Sequence, residues 1–163
     1  MLLKSRRTFL KTTFLSSAVI VMSGGKLFGA TSSLQTLSIV QNDLFPHAKL
    51  LGANASAYIS VIFHHSLVSD SDKQYLRNGV QWLNEEAVKE YKKQYTQLRP
   101  QERQNILKII SKHRWGENWI ETVMTYIVEA MLGDPIYGIN KNEAGWKWLN
   151  HESGLPRPKE ALL

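Results

Sequence analysis

Apolar residues recur at helical spacing through the middle of the chain. Over residues 54–68 and 71–95 they step by three or four positions, which is the period of a helix with one buried face. The pattern continues over residues 100–112 and is cleanest over 117–132, which predicts the central helix. No segment shows a convincing strand alternation. The sequence therefore predicts a mainly α fold, a small helical bundle of about four principal helices.

Two less regular segments flank this helical region. Residues 31–42 are rich in Ser, Thr and Gln and lack a long periodic pattern, so we interpret them as a linker or a loosely docked arm. The packed helical domain is then expected to cover residues 43–163. After Gly133 the chain contains three further Gly, three Pro and two Trp. This composition predicts an extended, aromatic C-terminal tail with one helical turn near residues 143–149.

The first thirty residues have the layout of an export signal. A basic start precedes an apolar run over residues 12–22, which is shorter than the roughly twenty residues that a membrane helix needs. We expect a signal peptide over residues 1–30, cleaved near Ala30. The residues around two adjacent arginines resemble the twin-arginine translocation signal of bacteria, which exports folded proteins: Ser5, Arg6, Arg7, Phe9, Leu10 and Lys11.

Composition excludes several classes of function. The 163 residues include no cysteine, so the chain has no disulfide, thiolate metal site, iron–sulfur cluster or cysteine nucleophile. The formal charge is +6, but five of the 20 basic residues and none of the 14 acidic ones lie in the first thirty positions. The body is therefore nearly neutral and gains little from counterion release, so we expect no nucleic-acid partner.

The ionisable residues do not form a convincing catalytic or metal-binding pattern. His64 and His65 are adjacent and diverge on a helix, and the other three histidines are isolated. Glu85 and Glu86 also point apart, as solvated surface residues do. A glycine-rich phosphate loop and a nucleophile elbow are both absent from the sequence. We predict that this chain carries no catalytic residue, no metal site and no cofactor.

Residues 133–148 combine turn-forming residues with large aromatic side chains. Asp and Asn side chains bond nearby backbone N–H groups, and Gly accepts a positive φ, so the backbone is expected to turn several times here. Tyr137, Trp146 and Trp148 then either cover the domain's own helices or anchor another protein. The residues alone leave these two alternatives equal.

Several sequence blocks also carry a family resemblance, in addition to the twin-arginine leader. They are the helix Gly79-Val80-Gln81-Trp82-Leu83-Asn84-Glu85-Glu86-Ala87, the Pro-Gln-Glu-Arg start at residues 100–103, the block Asp134-Pro135-x-Tyr137-Gly138-x-Asn140, and Gly145-Trp146-Lys147. In these blocks the chain resembles the small subunit of gluconate 2-dehydrogenase, the third-subunit family of membrane-associated, flavin-dependent sugar and sugar-acid dehydrogenases. Family members usually have Gly where this chain has Ile139, so we expect an altered local turn.

The resemblance implies a noncatalytic partner of an oxidoreductase. In such complexes a large flavoprotein of the glucose-methanol-choline type holds FAD and oxidises the sugar acid, often passing electrons to a cytochrome c subunit. The small subunit carries the export signal, so the complex is expected in the periplasm, associated with the inner membrane. The resemblance and the turn-rich aromatic segment together predict the partner-binding residues Asp134, Pro135, Tyr137, Gly138, Asn140, Gly145, Trp146 and Trp148.

Two other classes of function remain open at this point. A free-standing, exported helical binding or interaction protein would have the same leader and a ligand pocket of its own. A small oxidoreductase that is active alone would need cofactor motifs, which the sequence lacks.

Overall fold

The computed structural model describes residues 32–52 and 55–160, without the side chains of residues 49 and 50. The described residues belong to one compact unit, Thr31–Leu163. The predicted signal peptide lies outside them, as do Ser5, Arg6, Arg7, Phe9, Leu10, Lys11 and the cleavage position.

In this part of the chain the structure contains seven α-helices, three short 3-10 turns and no β-strand, which confirms the mainly α prediction. The α-helices are α1 Ser33–Leu44, α2 Pro46–Leu50, α3 Ala55–His64, α4 Asp70–Tyr91, α5 Pro100–Ile110, α6 Arg114–Leu132 and α7 Ala144–Trp148. The 3-10 turns are Tyr95–Gln97, Pro135–Tyr137 and Lys141–Glu143.

The interpretation of residues 31–42 as a linker is wrong. The hydroxyl of Ser32 caps α1 by accepting from the N–H of Gln35 at 3.2 Å, and the helix contacts α3, α4, α5 and α6. Leu37 and Val40 are fully buried. The inward face also carries Thr36 and Gln41, whose polarity hides the helical period from a hydrophobicity pattern. Gln41 is accommodated because its amide donates to the Ala55 carbonyl at 3.2 Å.

Helix α4 illustrates how local chemistry sets the bounds of the predicted helices. The hydroxyl of Ser69 accepts from the N–H of Asp72 at 3.1 Å, and Asp70 and Asp72 lie in the first turn, where the helix dipole favours negative charge. The helix ends at Tyr91, four residues before the predicted end, because Lys92 takes a left-handed backbone with φ 57°.

Helix α6 is the centre of the bundle, as its pattern predicts. It contacts α1, α3, α4, α5 and α7, and Trp119, Val123 and Ile127 are fully buried along it. The indole N–H of Trp119 donates to the Leu76 carbonyl at 3.3 Å. Gly79 leaves room for this ring, because a Cβ there would lie 2.0 Å from the indole nitrogen. Trp119, one of the largest fully buried side chains of the core, thus fits against the backbone of α4.

Candidate partner-binding surface

The segment that follows α6, residues 133–149, is here called the C-terminal block. Asn140 is fully buried in it and takes a left-handed backbone, φ 46°. Its side-chain amide donates to the Gly133 carbonyl at 3.0 Å, and its carbonyl oxygen accepts from the N–H of Gly145 at 2.8 Å. The backbone N–H of Asn140 also donates to the Ala130 carbonyl at 3.1 Å. Asn140 therefore ties the end of α6 to the start of α7.

Helix α7 packs against α6 through Gly145 and Trp146. A Cβ at Gly145 would lie 2.0 Å from the Met131 carbonyl oxygen, so only glycine allows this approach of the two backbones. Trp146 is 7 % exposed, and its indole N–H donates to the Leu132 carbonyl. Of the two alternatives left open by the sequence, Trp146 covers the domain's own helix. It offers almost no surface to a partner, so any effect on binding would act through the position of the block.

Residues 150–160 are held more closely to the domain than the predicted extended tail would be. Arg157 forms a two-point ion pair with Asp134, with distances of 2.9 and 3.0 Å, and reaches Glu143 at 2.9 Å. Its guanidinium lies 4.7 Å from the ring centroid of Trp146. The hydrogen bonds from Arg157 lower the pKa of Asp134, which also accepts from the N–H of Ile136. Residues 150–160 have no regular helix, but Arg157 holds them on the block.

The replacement of the family's usual Gly by Ile139 fits the turn. The left-handed positions are Gly138, with φ 75°, and Asn140, so an L-residue between them meets no backbone penalty. Ile139 is buried and lies against Gly133. Ile139 therefore adds a buried apolar side chain beside the end of α6.

Trp148 and Tyr137 are the predicted partner-binding aromatics that the structure leaves accessible. Trp148 is 52 % exposed, next to the half-exposed Leu149, and its ring lies 6.3 Å from that of Phe45 in an edge arrangement. Tyr137 is half-buried and Pro135 begins the 3-10 turn that carries it. Exposed aromatic side chains of this kind are typical anchors in protein interfaces.

A groove of about 590 Å³, here called the apolar groove, runs between α3, the turn after it, α6 and the C-terminal block. Glu129 borders it and accepts from the Tyr58 hydroxyl at 2.8 Å. Burial, and next this hydrogen bond, raise the pKa of Tyr58. Sequence analysis missed the groove because four separate segments build it. Its lining is Tyr58, Val61, Ile62, His65, Leu67, Val68, Val128, Glu129, Leu132, Gly133, Asp134, Tyr137 and Ile139.

In α4 and α5, the sequence blocks that carry the family resemblance form contacts within the helical bundle. Asn84 accepts from the N–H of Tyr95 at 3.0 Å and so shapes the turn after α4. Arg103 forms a two-point ion pair with Asp43 at 2.6 and 3.0 Å. The Tyr95 hydroxyl donates to the same carboxylate at 2.8 Å. Burial, and next the negative charge of Asp43, raise the pKa of Tyr95.

The ionisable residues considered as catalytic or metal-binding candidates have local structural partners. Glu85 accepts from Gln81 and Glu86 pairs with Lys89, each at 2.8 Å. The Nδ1 of His64 donates to the Ser60 carbonyl at 2.7 Å. Within residues 32–52 and 55–160, no three His, Asp or Glu side chains form a group that could hold a metal ion. Across the same part of the chain, no helix combines the length and apolar character that a membrane span requires.

One family of known proteins matches most of the residues that the structure describes. The sequence profile of the family described as Gluconate 2-dehydrogenase subunit 3 matches residues 33–154, which include the bundle, the C-terminal block and the apolar groove. The chain has no significant match to a curated protein or to a solved structure. The family match spans well over half of the sequence and confirms the resemblance. The chain belongs to the gluconate 2-dehydrogenase subunit 3 family.

Proposed function

We propose that this chain is the noncatalytic small subunit of a periplasmic, FAD-dependent gluconate 2-dehydrogenase-type complex. In this proposal it supports the assembly, stability and twin-arginine export of a flavoprotein large subunit of the glucose-methanol-choline type. Family membership supports its place in such a complex. The structural observation that carries the proposal is the exposed side chain of Trp148 beside the half-exposed Leu149, on a block that Asn140 fixes to the bundle.

The contacts of the chain's charged side chains support the assignment of catalysis to the large subunit. Its two-point ion pairs, Asp43 with Arg103 and Asp134 with Arg157, join distant segments of the fold. Such pairs hold both partners in a fixed geometry, so these carboxylates serve to join segments of the fold. We therefore assign FAD and the oxidation of the sugar acid to the large subunit. A cytochrome c subunit that accepts the electrons would complete the complex.

The proposed export role rests on the leader sequence. The pair Arg6 and Arg7 would recruit the twin-arginine translocase after the two subunits have bound each other in the cytoplasm. The large subunit then needs no leader of its own. The complex would end in the periplasm, held at the inner membrane through its other components.

Replacement of both arginines tests this role. The variant Arg6→Lys with Arg7→Lys should leave the flavoprotein, its FAD and its dye-reducing activity in the cytoplasm, while the two subunits still co-purify. Cell fractionation with a flavin absorbance scan measures this, and the matched control is Lys4→Arg, which keeps the basic start. Normal periplasmic activity in the double variant would contradict the export role.

A free-standing exported binding protein is the second candidate, because the apolar groove has a volume typical of small-molecule sites. It predicts a monomer in native membranes, with no flavoprotein attached. Co-purification from native membranes separates the two proposals.

A further inference from the structure

The apolar groove has walls that are exposed although they are strongly apolar. Leu67, in the turn after α3, is 86 % exposed, and Val128, on α6, is 45 % exposed. Val61, Ile62 and Leu132 continue the apolar lining between them. Neighbouring exposed apolar side chains rimmed by polar residues are a feature of interaction sites.

The floor of the groove is held in place by contacts inside the chain. The Tyr58 hydroxyl donates to Glu129, and the Tyr58 ring lies 6.3 Å from that of Tyr126. At the other end, Ile139 is buried against Gly133, and Asn140 fixes the turn that carries it. A preformed groove loses little conformational entropy when a partner binds.

The charges at the groove select among possible occupants. Its lining carries Glu129 and Asp134, and the described lining includes no Lys or Arg. Arg157 already neutralises Asp134. In the part of the chain that the structure describes, no Lys or Arg forms an ion pair with Glu129. An occupant that covers Glu129 must therefore supply a cation, because a covered, unpaired carboxylate is costly.

The negative charge of Glu129 also weighs against a membrane surface as the occupant. Anionic lipid headgroups attract basic protein segments and would be repelled by Glu129. An open apolar groove lined by side chains of α3, α6 and the turns beside them suits the apolar face of a helix, which presents side chains at positions i, i+3 or i+4, and i+7.

We propose that the apolar groove binds an amphipathic helix of the flavoprotein large subunit, with a Lys or Arg of that helix paired to Glu129. This inference rests on the proposed function and assigns it a place on the surface.

A matched pair of variants tests the groove. Val128→Asp should weaken the affinity for the co-expressed large subunit about tenfold or more, since it places a charge where apolar contact is expected. Val88→Asp is the control: Val88 is also exposed, at 36 %, but lies on α4 about 27 Å along the helix from Asp70. It should change the affinity less than about twofold. Circular dichroism and thermal unfolding check that both variants fold like the unchanged chain.

The charge is tested separately. Glu129→Gln keeps an oxygen that can accept from Tyr58 but removes the negative charge. It should weaken binding and flatten its salt dependence, because a charge pair across the interface is lost.

A photoreactive residue at position 128 should cross-link to a large-subunit peptide with helical apolar spacing and a Lys or Arg.

Several results would overturn the groove assignment. One is unchanged affinity in Val128→Asp while the unchanged chain binds the flavoprotein. Another is loss of a homodimer in Val128→Asp with the large subunit still bound. A third is binding of the unchanged chain to phosphatidylglycerol vesicles through Val128. If the unchanged chain does not bind the flavoprotein at all, the proposed function itself fails.

Discussion

The helical bundle and the C-terminal block are stabilised in different ways. In the bundle, α6 buries Trp119, Val123 and Ile127 among apolar side chains of several helices. In the block, a few polar groups determine the structure, chiefly Asn140 and Arg157. Apolar burial in the bundle is spread over many contacts, whereas the block has only a few buried apolar side chains, Ile139 and Trp146, beside its hydrogen bonds. The block should therefore be the part that single substitutions can detach while the bundle stays folded.

The largest expected effect is on the bundle. Trp119→Ala removes a fully buried side chain and leaves a cavity against Gly79, so we expect about 3–5 kcal/mol lower free energy of unfolding. Urea unfolding followed by circular dichroism measures this. The control Trp148→Ala removes a half-exposed ring and should cost less than about 1 kcal/mol. Equal losses in the two variants would contradict the assignment of the core.

An intermediate effect is expected from the tie between α6 and α7. Asn140→Ala leaves the Gly133 carbonyl and the Gly145 N–H without their partner, which costs about 1–3 kcal/mol for each buried group. Hydrogen exchange should show rapid opening of residues 133–149 and unchanged protection in α4 and α6.

The variant Asn140→Gly separates the two properties of this residue. It keeps the left-handed backbone but lacks the side-chain hydrogen bonds. We expect the block to open in this variant too. Full protection in Asn140→Gly would show that backbone conformation, and not hydrogen bonding, holds the block.

The smallest expected effect is acid loosening of the chain end. Because Arg157 lowers the pKa of Asp134 in the folded state, the pair stabilises the fold fully above the ordinary aspartate pKa of about 3.9. This stabilisation is lost as the pH falls through the lower, folded-state value. Residues 150–160 should therefore loosen below about pH 4.

Nuclear magnetic resonance of the Arg157 side-chain N–H and the Trp146 indole N–H can follow this loosening. In Asp134→Asn the loosening should be present at neutral pH, without the acid transition. Amides of α6 serve as the internal control. Loosening that starts well above pH 5 in the unchanged chain would contradict the role of Asp134.

The parts of the fold that the sequence predicts are those with a clear apolar period. The bundle helices α3 to α6 were predicted close to their observed bounds, because residues such as Leu76, Val123 and Ile127 repeat along one face. Helix α1 was missed because buried Thr36 and Gln41 interrupt its apolar stripe. Only tertiary contacts show that these polar residues point inward.

The sequence predicts which segment contains the candidate site, but not which of its side chains are exposed. The turn chemistry of Asp134 and Asn140 is visible in the sequence, yet both side chains are used within the fold. Trp146 and Trp148 are two positions apart, and one is buried while the other is half-exposed. The apolar groove adds Leu67 from a distant turn, and no local pattern shows that this residue lines the same groove as Val128.

The central claim is that this chain binds a separate flavoprotein and performs no oxidation itself. Its most direct test is size-exclusion chromatography with light scattering and a flavin absorbance scan of the tagged chain, purified from its native membranes and again after expression alone. The account predicts a complex with flavin absorbance and dye reduction in the first preparation, and a colourless, inactive chain in the second. A pure preparation of this chain alone that contains flavin and reduces the dye would contradict it.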